Sequence, residues 1–363
     1  MKKICFFISS ITLTGGTERV CSVIANKLSQ LGYQVIILSM YGEKPFFELE
    51  ENVKVISVFR QKHTFKLFLP IVILKLRKSI KTINPDVLIN ADSALYIYSL
   101  VAGFRFTFKN IVWEHFNFHV SLNTIVRGFS RKLAAKYSDA IITLTHKDNN
   151  NWKRNLSCKA PVYTINNPLP FNNSTYNDNL RKPVVLSVGR LTFQKGFDRL
   201  IDVWNLLKSN GYQDWELHIV GSGELKENLV HQIDTLNLAG SVKLISATDK
   251  IEEHYKQASI YCMTSRFEGF GMVLIEAQSF GLPVVSYDCE AGPSEIINSE
   301  NGILVEDGDK QALVNALTYL MVHEEVRLKI GVKAFENSSN YNIDVIIKKW
   351  LNLFEVDLNY KVH

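Results

Sequence analysis

The sequence lacks the features that build disulfide frameworks, metal clusters and membrane spans. Its 363 residues include five cysteines, an odd and scattered number with no C-x-x-C pair. We therefore expect neither a disulfide framework nor a zinc site, and this usage fits a reducing cytosol. No run of 18 uncharged apolar residues occurs, so no membrane-spanning helix is predicted. Short internal repeats and low-complexity tracts are also absent.

The N-terminus has only part of a signal-peptide pattern. Two lysines precede an apolar run from Ile4 to Leu13. No small-residue cleavage site follows, because the chain continues into a Gly15-Gly16 turn and an amphipathic segment. We interpret the run as a buried first strand.

Charge is present in both signs but is unevenly distributed. The formal net charge is +5, yet residues 1–170 hold 23 Lys/Arg and 10 Asp/Glu, while the remainder holds 18 and 26. A basic half joined to an acidic half indicates that the first half faces a polyanion. Anionic lipid, a phosphorylated substrate and nucleic acid all remain open at this point.

Short apolar runs alternate with segments of helical period along the whole chain. Examples are the predicted strands Lys3–Ser9 and Val184–Val188, each followed by an amphipathic segment. This alternation predicts α/β architecture with two Rossmann-like, doubly wound domains facing a central cleft. We place the first domain at 1–170, a polar linker at 171–182 and the second domain at 183–340.

Two cations open the second predicted domain. Gly189 ends a strand, Arg190 follows, and Lys195 lies just before a helix start. Arginine offers a planar fork to phosphate oxygens, lysine a compact charge, and a helix N-terminus free N–H groups. The segment predicts a diphosphate site; the alternative is two solvated surface cations.

A second segment of this domain places two carboxylates eight residues apart. Glu268 and Glu276 flank Gly269-Phe270-Gly271, and a helical run begins near Gly271. The glycines would let main-chain N–H groups approach a ligand, and carboxylates accept hydrogen bonds from sugar hydroxyls. The alternative is a charge at a helix N-terminus and a surface glutamate.

Three shorter signals are weak when taken singly. Gly221 and Gly223 follow a strand but complete only part of a dinucleotide fingerprint. Gly15 and Gly16 precede a helix, where their amides could face phosphate. His115 directly follows a strand and could donate to a sugar hydroxyl, although a lone histidine is more often structural.

Taken in order, these motifs resemble those of the retaining, GT-B-fold family 4 glycosyltransferases. The motifs are G-G-x-E-R, E-H, G-R-L-x-x-x-K-G, G-x-G-E-L and E-G-F-G with a glutamate eight residues after the first. They cover almost the whole chain, and the ordered set is far more specific than any member.

The resemblance implies a role for each matched position. Arg190 and Lys195 would bind the donor diphosphate, and Glu276 the ribose hydroxyls. The remaining implied contacts to the nucleotide-sugar involve His115, Gly15, Gly16, Gly221, Gly223, Glu268, Gly269, Phe270 and Gly271. It also implies that residues 341–363 form a helix crossing back to the first domain.

The implied chemistry is front-face retention without a metal. Arg190 and Lys195 would stabilise the departing diphosphate. Glu268 is the candidate nucleophile for a double displacement, but the resemblance argues against that route.

Asp307-Gly308-Asp309 fits a metal-binding D-x-D on paper, and we interpret it as a turn. A proline in the segment 291–297 departs from the family pattern and leaves the role of Glu295 open.

The basic half has a candidate surface for acceptor and membrane. Residues 60–81 carry seven Lys/Arg and no acid around an apolar middle, a pattern suited to anionic lipid. The alternative is a buried helix with a solvated basic rim. The cations expected at this surface are Arg60, Lys75, Arg77, Lys78, Arg105, Lys109 and Arg131.

Among relatives, the chain is most similar to bacterial transferases that extend undecaprenyl-diphosphate-linked sugars. The narrowest expectation is transfer of α-N-acetylgalactosamine from a UDP-sugar to a lipid-diphosphate-linked saccharide in O-antigen or other surface polysaccharide synthesis. This implies an enzyme peripheral on the cytoplasmic face of the inner membrane, with no nucleic-acid partner. The alternatives are a nucleotide-sugar epimerase of the same fold, a DNA-modifying transferase and an inactive sugar-nucleotide sensor.

Overall fold

A computed structural model describes residues 2–61, 69–120, 125–171, 180–212 and 214–355 of the chain. The chain forms two compact units. The first runs to Pro170 and takes in the chain again from Ile343, and the second comprises Phe171–Asn342. Most of the predicted linker, residues 172–179, lies outside the described part.

The first unit is built on a parallel sheet of seven strands in the order β3-β2-β1-β4-β5-β6-β7. Its central strands are buried almost continuously, as expected for parallel strands covered on both faces. The strands are β1 Lys3–Ser10, β2 Gln34–Tyr41, β3 Lys54–Phe59, β4 Val87–Asn90, β5 Lys109–Trp113, β6 Ala140–Thr143 and β7 Val162–Thr164.

Within the described residues, five α-helices connect these strands. They are α1 Gly16–Gln30, α2 Leu69–Ile83, α3 Ser93–Ala102, α4 Ile125–Tyr137 and α5 His146–Asn155. The last helix of the chain, Ile343–Glu355, also belongs to this unit. It buries Trp350, whose ring meets Trp113 edge-on with centroids 4.9 Å apart. This aromatic contact ties the end of the described chain to the first sheet.

The second unit repeats the plan with six parallel strands in the order β10-β9-β8-β11-β12-β13. The strands are β8 Val184–Val188, β9 Glu216–Val220, β10 Val242–Ile245, β11 Ile260–Met263, β12 Val284–Tyr287 and β13 Gly302–Val305. The helices are α6 Phe197–Ser209, α7 Lys226–Thr235, α8 Ile251–Gln257, α9 Met272–Ser279, α10 Pro293–Ile296, α11 Lys310–Val322 and α12 Glu324–Ser338, and the Ile343–Glu355 helix is then α13.

The predicted fold class is confirmed, because both units are doubly wound. In each, the chain starts at a central strand, moves to one edge, and returns to build the other side. The loops at the carboxyl ends of strands beside this reversal are where such sheets bind ligands. In the first unit these are the loops after β1 and β4, and in the second those after β8 and β11.

Candidate functional site

The loop after β8 carries the two cations expected at a diphosphate. Lys195 ends a short 3-10 turn, Phe193–Lys195, directly before α6. Its aliphatic chain runs over Gly189, where an added Cβ would lie 3.2 Å from three of its methylene carbons. Arg190 is exposed, and its guanidinium forms no hydrogen bond or ion pair with the rest of the described chain. The loop therefore holds one cation in place and leaves the other available.

Lys195 and Glu268 form an ion pair within this unit. The Lys195 Nζ lies 2.7 Å from Glu268 Oε1, and both side chains are largely buried. The Ser265 hydroxyl donates to the same oxygen at 2.6 Å. Two residues selected from separate motifs are thus brought into direct contact, and the carboxylate is fixed by two donors.

Gly221 and Gly223 are required by close backbone packing. A Cβ on Gly221 would overlap the carbonyl oxygen of Gly189, and one on Gly223 the carbonyl of Leu191. Hydrogen bonds between the two loops accompany this approach, including Leu191 N to Ser222 O at 2.9 Å. The glycine-rich turn therefore supports the loop that bears Arg190. Whether its amides also contact the nucleotide stays a prediction.

The loop after β11 leads into α9, as the glycine pattern predicts. Gly271 adopts a left-handed φ of 92° at the N-cap, which a glycine allows without strain. The Phe270 side chain is buried and meets Tyr341 edge-on at 5.7 Å, so only its main chain could face a ligand. The first amides of α9 are left without helical partners and suit an anion or a sugar hydroxyl.

Glu276 lies on the second turn of α9 and is buried. Its Oε2 accepts a hydrogen bond of 2.9 Å from the hydroxyl of Tyr255 on α8. Tyr255 belongs to none of the sequence motifs, and its role emerges only in the fold, where it is the single buried residue of α8.

In the first unit, Gly15 is the N-cap of α1 and Gly16 its first residue. Gly15 has extended backbone, and the buried Glu18 carboxylate of the first turn lies against it, since a Cβ on Gly15 would overlap Glu18 Oε2. A Cβ on Gly16 would meet nothing within 4 Å. Gly16 is exposed, which is compatible with the predicted phosphate contact.

His115 follows β5 and lies against Trp113, with ring centroids 4.2 Å apart. Burial lowers the pKa of His115 to about 3, although the neighbouring Glu114 carboxylate opposes the shift. The imidazole is therefore neutral near pH 7. Its Nε2 is buried and has no hydrogen-bond partner within the described ranges, so this nitrogen is able to bond a polar ligand atom.

A buried charge cluster lies beside His115. Glu114 is fully buried and pairs with Arg131 at 2.9 Å and with Arg127 at 3.4 Å. Burial alone would raise the pKa of Glu114, but the two guanidinium groups outweigh it and hold the pKa below its usual value. The Glu114 Oε1 also accepts from Phe116 N at 3.1 Å, which fixes the loop after β5.

The cluster shows that the predicted surface role of Arg131 is wrong. Its side chain is only 5% exposed and also donates to the carbonyls of Phe118 and Asn117. A fully buried carboxylate draws this arginine inward, because an unpaired charge there would be very costly. The sequence pattern did not distinguish Arg131 from the exposed Lys132 beside it.

The other expected surface cations divide into two groups. Arg60, Lys75, Lys78 and Arg105 are exposed. Arg77 is half-buried and donates to the carbonyls of Ala102 and Phe104 at 2.9 and 2.8 Å, so it anchors α2 to the end of α3. Lys109 is half-buried at the start of β5. Residues 62–68, the rest of the basic segment, lie outside the described part.

Large apolar side chains of the same unit are also exposed. They include Leu74 on α2 at 65%, Phe104 at 66% and Ile125 at the start of α4 at 92%. Within the described ranges, no helix is long and apolar enough to cross a membrane.

The Asp307-Gly308-Asp309 segment forms the turn between β13 and α11. Asp309 caps α11 by accepting from Ala312 N at 2.9 Å, and Asp307 pairs with Arg199 at 2.7 Å. Both carboxylates are thus engaged by protein groups.

Comparison with known proteins matches both halves of the chain to family models. The model described as glycosyl transferases group 1 matches residues 171–337, and that described as Glycosyltransferase Family 4 matches residues 14–172. An uncharacterized glycosyltransferase of Haemophilus influenzae is 37% identical over 354 residues, covering 96% of this chain and 99% of the relative. The amylovoran biosynthesis glycosyltransferase AmsD of Erwinia amylovora is 32% identical, with 96% and 99% covered.

Two further comparisons are more distant. An α-1,4-N-acetyl-D-galactosaminyltransferase of Campylobacter jejuni, which acts on a GalNAc-containing saccharide on diphosphoundecaprenol, is 26% identical and covers 97% of this chain and 98% of its own. The crystal structure of a TarM mutant of Staphylococcus aureus with fondaparinux, α-GlcNAc-glycerol and UDP shares the fold. The TarM mutant and this chain superpose with a TM-score of 0.83 at 16% sequence identity, and the match covers 98% of this chain and 100% of the TarM chain.

Proposed function

The chain belongs to the family 4 glycosyltransferases, and from this premise we propose that it moves a sugar from a UDP-sugar to an undecaprenyl-diphosphate-linked saccharide in bacterial surface polysaccharide synthesis. The observation that carries the proposal is the contact between Lys195 and Glu268, with Arg190 available on the same loop. These groups lie on loops that follow adjacent strands, β8 and β11.

The proposed donor site uses the charges of the second unit. The Arg190 guanidinium would hold the diphosphate oxygens as a fork, and Lys195 would share its charge between Glu268 and phosphate. Glu276 would accept hydrogen bonds from the ribose hydroxyls. The amides at the start of α9 would face the donor sugar.

The proposed reaction retains the anomeric configuration. The bond between the anomeric carbon and the diphosphate oxygen breaks, and its electron pair leaves with UDP. The acceptor hydroxyl oxygen bonds to the same face of that carbon, and its proton passes to the departing diphosphate oxygen. Arg190 and Lys195 stabilise the charge that develops there.

Glu268 is poorly suited to a covalent route. A nucleophilic carboxylate attacks the anomeric carbon with one of its oxygens. The ion pair with Lys195 and the Ser265 hydrogen bond at Oε1 stabilise the negative charge that both oxygens of Glu268 share, which lowers the nucleophilicity of the carboxylate. This geometry favours a front-face reaction in which Glu268 orients Lys195.

His115 would act as a hydrogen-bonding group rather than as an acid. Its low pKa keeps the imidazole neutral, so it can donate or accept a hydrogen bond without carrying charge. Its buried Nε2 lacks a partner among the described residues, as expected for a group that bonds a sugar hydroxyl. We propose no metal cofactor, because the two cations would stabilise the departing diphosphate.

The proposed acceptor side is the basic surface of the first unit. Exposed Lys75 and Lys78 lie on α2, which also exposes Leu74, and exposed Phe104 and Arg105 lie between α3 and β5. Each cation near an anionic leaflet contributes about 1 kcal/mol, and the apolar side chains would enter the interface. The enzyme would thus be peripheral on the cytoplasmic face of the inner membrane.

Two similar proteins suggest the substrates through what one transfers and what the other binds. The Campylobacter relative transfers N-acetylgalactosamine to a diphosphoundecaprenol-linked saccharide, and the TarM mutant was crystallised with UDP. N-acetylgalactosamine in α linkage is therefore our first choice of donor sugar.

A donor screen tests the proposal. Purified protein is incubated with UDP-, GDP- or ADP-sugars and a synthetic GalNAc-diphosphate-lipid, with and without EDTA, and products are read by mass spectrometry. We expect a mass gain of one sugar with a UDP-sugar, unchanged by EDTA. A gain with only GDP- or ADP-sugars would refute the UDP assignment, and a gain abolished by EDTA would refute metal independence.

A further inference from the structure

The buried hydroxyl of Tyr255 is directed at one of the two carboxylates proposed to bind the donor. Tyr255 is fully buried and donates to Glu276 Oε2 at 2.9 Å. The residues are 21 positions apart and come from different helices, so the contact depends on how α8 and α9 pack onto the sheet. A long, flexible glutamate side chain is thereby held at one oxygen.

The ring of Tyr255 is itself held on several sides. It stacks on Phe280 with centroids 5.4 Å apart and planes within 3° of parallel, and it meets Tyr261 at 6.1 Å. Arg181 fixes the main chain nearby, donating to the carbonyls of Tyr255 at 3.2 Å and Ala258 at 2.7 Å. The hydroxyl therefore has little freedom to leave Glu276.

We infer that Tyr255 is a positioning residue for recognition of the nucleotide ribose, acting through Glu276; this inference rests on the proposed function. Vicinal ribose hydroxyls are bound well only if the carboxylate is already oriented, because ordering a free side chain opposes binding. A hydrogen bond from Tyr255 to Oε2 supplies that order and leaves the carboxylate charged as an acceptor.

The chain offers a matched control for this role. Tyr261 is also fully buried, and its hydroxyl bonds the main chain of Val188 at 3.3 Å, not a carboxylate. Changing either tyrosine to phenylalanine removes one buried hydroxyl from the same aromatic cluster. Only Tyr255→Phe removes the contact to Glu276.

Calorimetric titration with two ligands separates positioning from a merely structural contribution. The ligands are UDP and 2′,3′-dideoxy-UDP, titrated into the wild type, Tyr255→Phe and Tyr261→Phe. We expect the wild type to bind UDP more tightly than the dideoxy ligand. Tyr255→Phe should lose about tenfold in affinity for UDP, the effect of losing one charge-assisted hydrogen bond. Its affinity for the dideoxy ligand should change little. Tyr261→Phe should keep the wild-type preference.

Other outcomes would overturn the inference. Equal losses for both ligands in Tyr255→Phe, or an unchanged preference, would make Tyr255 structural only. If the wild type binds UDP and the dideoxy ligand equally well, the ribose role of Glu276 is refuted. If the wild type binds neither ligand, the UDP proposal itself is refuted. If Tyr255→Phe does not fold, Glu276→Asp takes its place, because the shorter side chain withdraws the carboxylate from Tyr255 by one methylene. If Glu276→Asp still binds UDP more tightly than the dideoxy ligand, the inference is overturned.

Discussion

At the scale of single residues, the two donor-site cations differ in what surrounds them. Lys195 is largely buried against Glu268, so removing it would also leave a buried carboxylate without its partner. Arg190 is exposed, and within the described chain its guanidinium has no partner whose loss would disturb the fold. Arg190 is therefore the cleaner probe of diphosphate stabilisation.

We predict that Arg190→Ala lowers kcat by about 100- to 1,000-fold, the usual loss when one donor to a developing anion is removed. Its melting temperature should stay close to that of the wild type. Steady-state transfer assays and thermal denaturation measure the two quantities. The matched control is Lys310→Ala, an exposed cation of the same unit that pairs with Asp202. Near-wild-type turnover in Arg190→Ala would contradict the diphosphate assignment.

The low pKa of His115 predicts that the stability of the protein depends on pH. Its pKa is about 3 in the folded protein against an ordinary value of 6.5, so between these values the unfolded chain binds one more proton. Stability should therefore fall as pH drops below 6.5. Relative to His115→Gln, the wild type should lose about 1.5 kcal/mol of unfolding free energy between pH 6.5 and 5. Urea denaturation at several pH values measures the unfolding free energy of both proteins. If the free energies of the wild type and His115→Gln change in parallel with pH, His115 is not buried in its neutral form.

At the scale of elements, the pattern of apolar runs predicted the central strands well. The predicted Val184–Val188 strand is β8 with the same bounds, because a buried parallel strand is apolar along its length. The edge strand β7 was not predicted, because Val162–Thr164 is only three residues long and ends in a polar residue.

The orientation of α4 could not be predicted from its charges. Arg127, Arg131, Lys132 and Lys136 all read as one basic helix, yet the two arginines face inward. Their partners are distant in sequence: Glu114, directly after β5, pairs with Arg131, and Asp92, before α3, accepts two hydrogen bonds from Arg127. Tyr255 was missed for the same reason, because its partner Glu276 lies on another helix. The order of the motifs was enough to predict which loops form the site. The contacts between side chains of different elements could be seen only in the folded structure.

We predict that Arg131→Met destabilises the protein by about 3–5 kcal/mol, because it leaves the fully buried Glu114 with one partner fewer. Lys132→Met, the exposed neighbour on α4, should change the unfolding free energy by no more than about 0.5 kcal/mol. Chemical denaturation followed by circular dichroism compares the two. Similar stabilities would contradict the buried cluster.

At the scale of the whole molecule, the uneven charge has a structural counterpart. Several cations of residues 1–170 are exposed around apolar side chains of the first unit, whereas Arg77, Arg127 and Arg131 are engaged by protein groups. The surface of this half therefore presents fewer cations than its 23 Lys/Arg suggest, whereas its net charge of +13 already includes the carboxylates that pair with Arg127 and Arg131.

We predict that Lys75→Glu combined with Lys78→Glu weakens binding to vesicles containing anionic phospholipid, by about 1 kcal/mol or more per cation replaced. Each replacement also adds a repelled charge, and added salt should reduce the difference. Vesicle sedimentation measures binding, with Lys310→Glu in the second unit as the control. Equal binding by the double variant and the control would place the lipid-facing surface elsewhere.

Sugar transfer can be tested by counting both products of one reaction. Wild-type protein is incubated with UDP-GalNAc and a GalNAc-diphosphate-lipid, and released UDP is quantified together with the mass of the lipid. We predict that one UDP is released for each N-acetylhexosamine added to the acceptor. Release of UDP with free sugar and no change in the lipid, or an unchanged lipid with no UDP released, would contradict it.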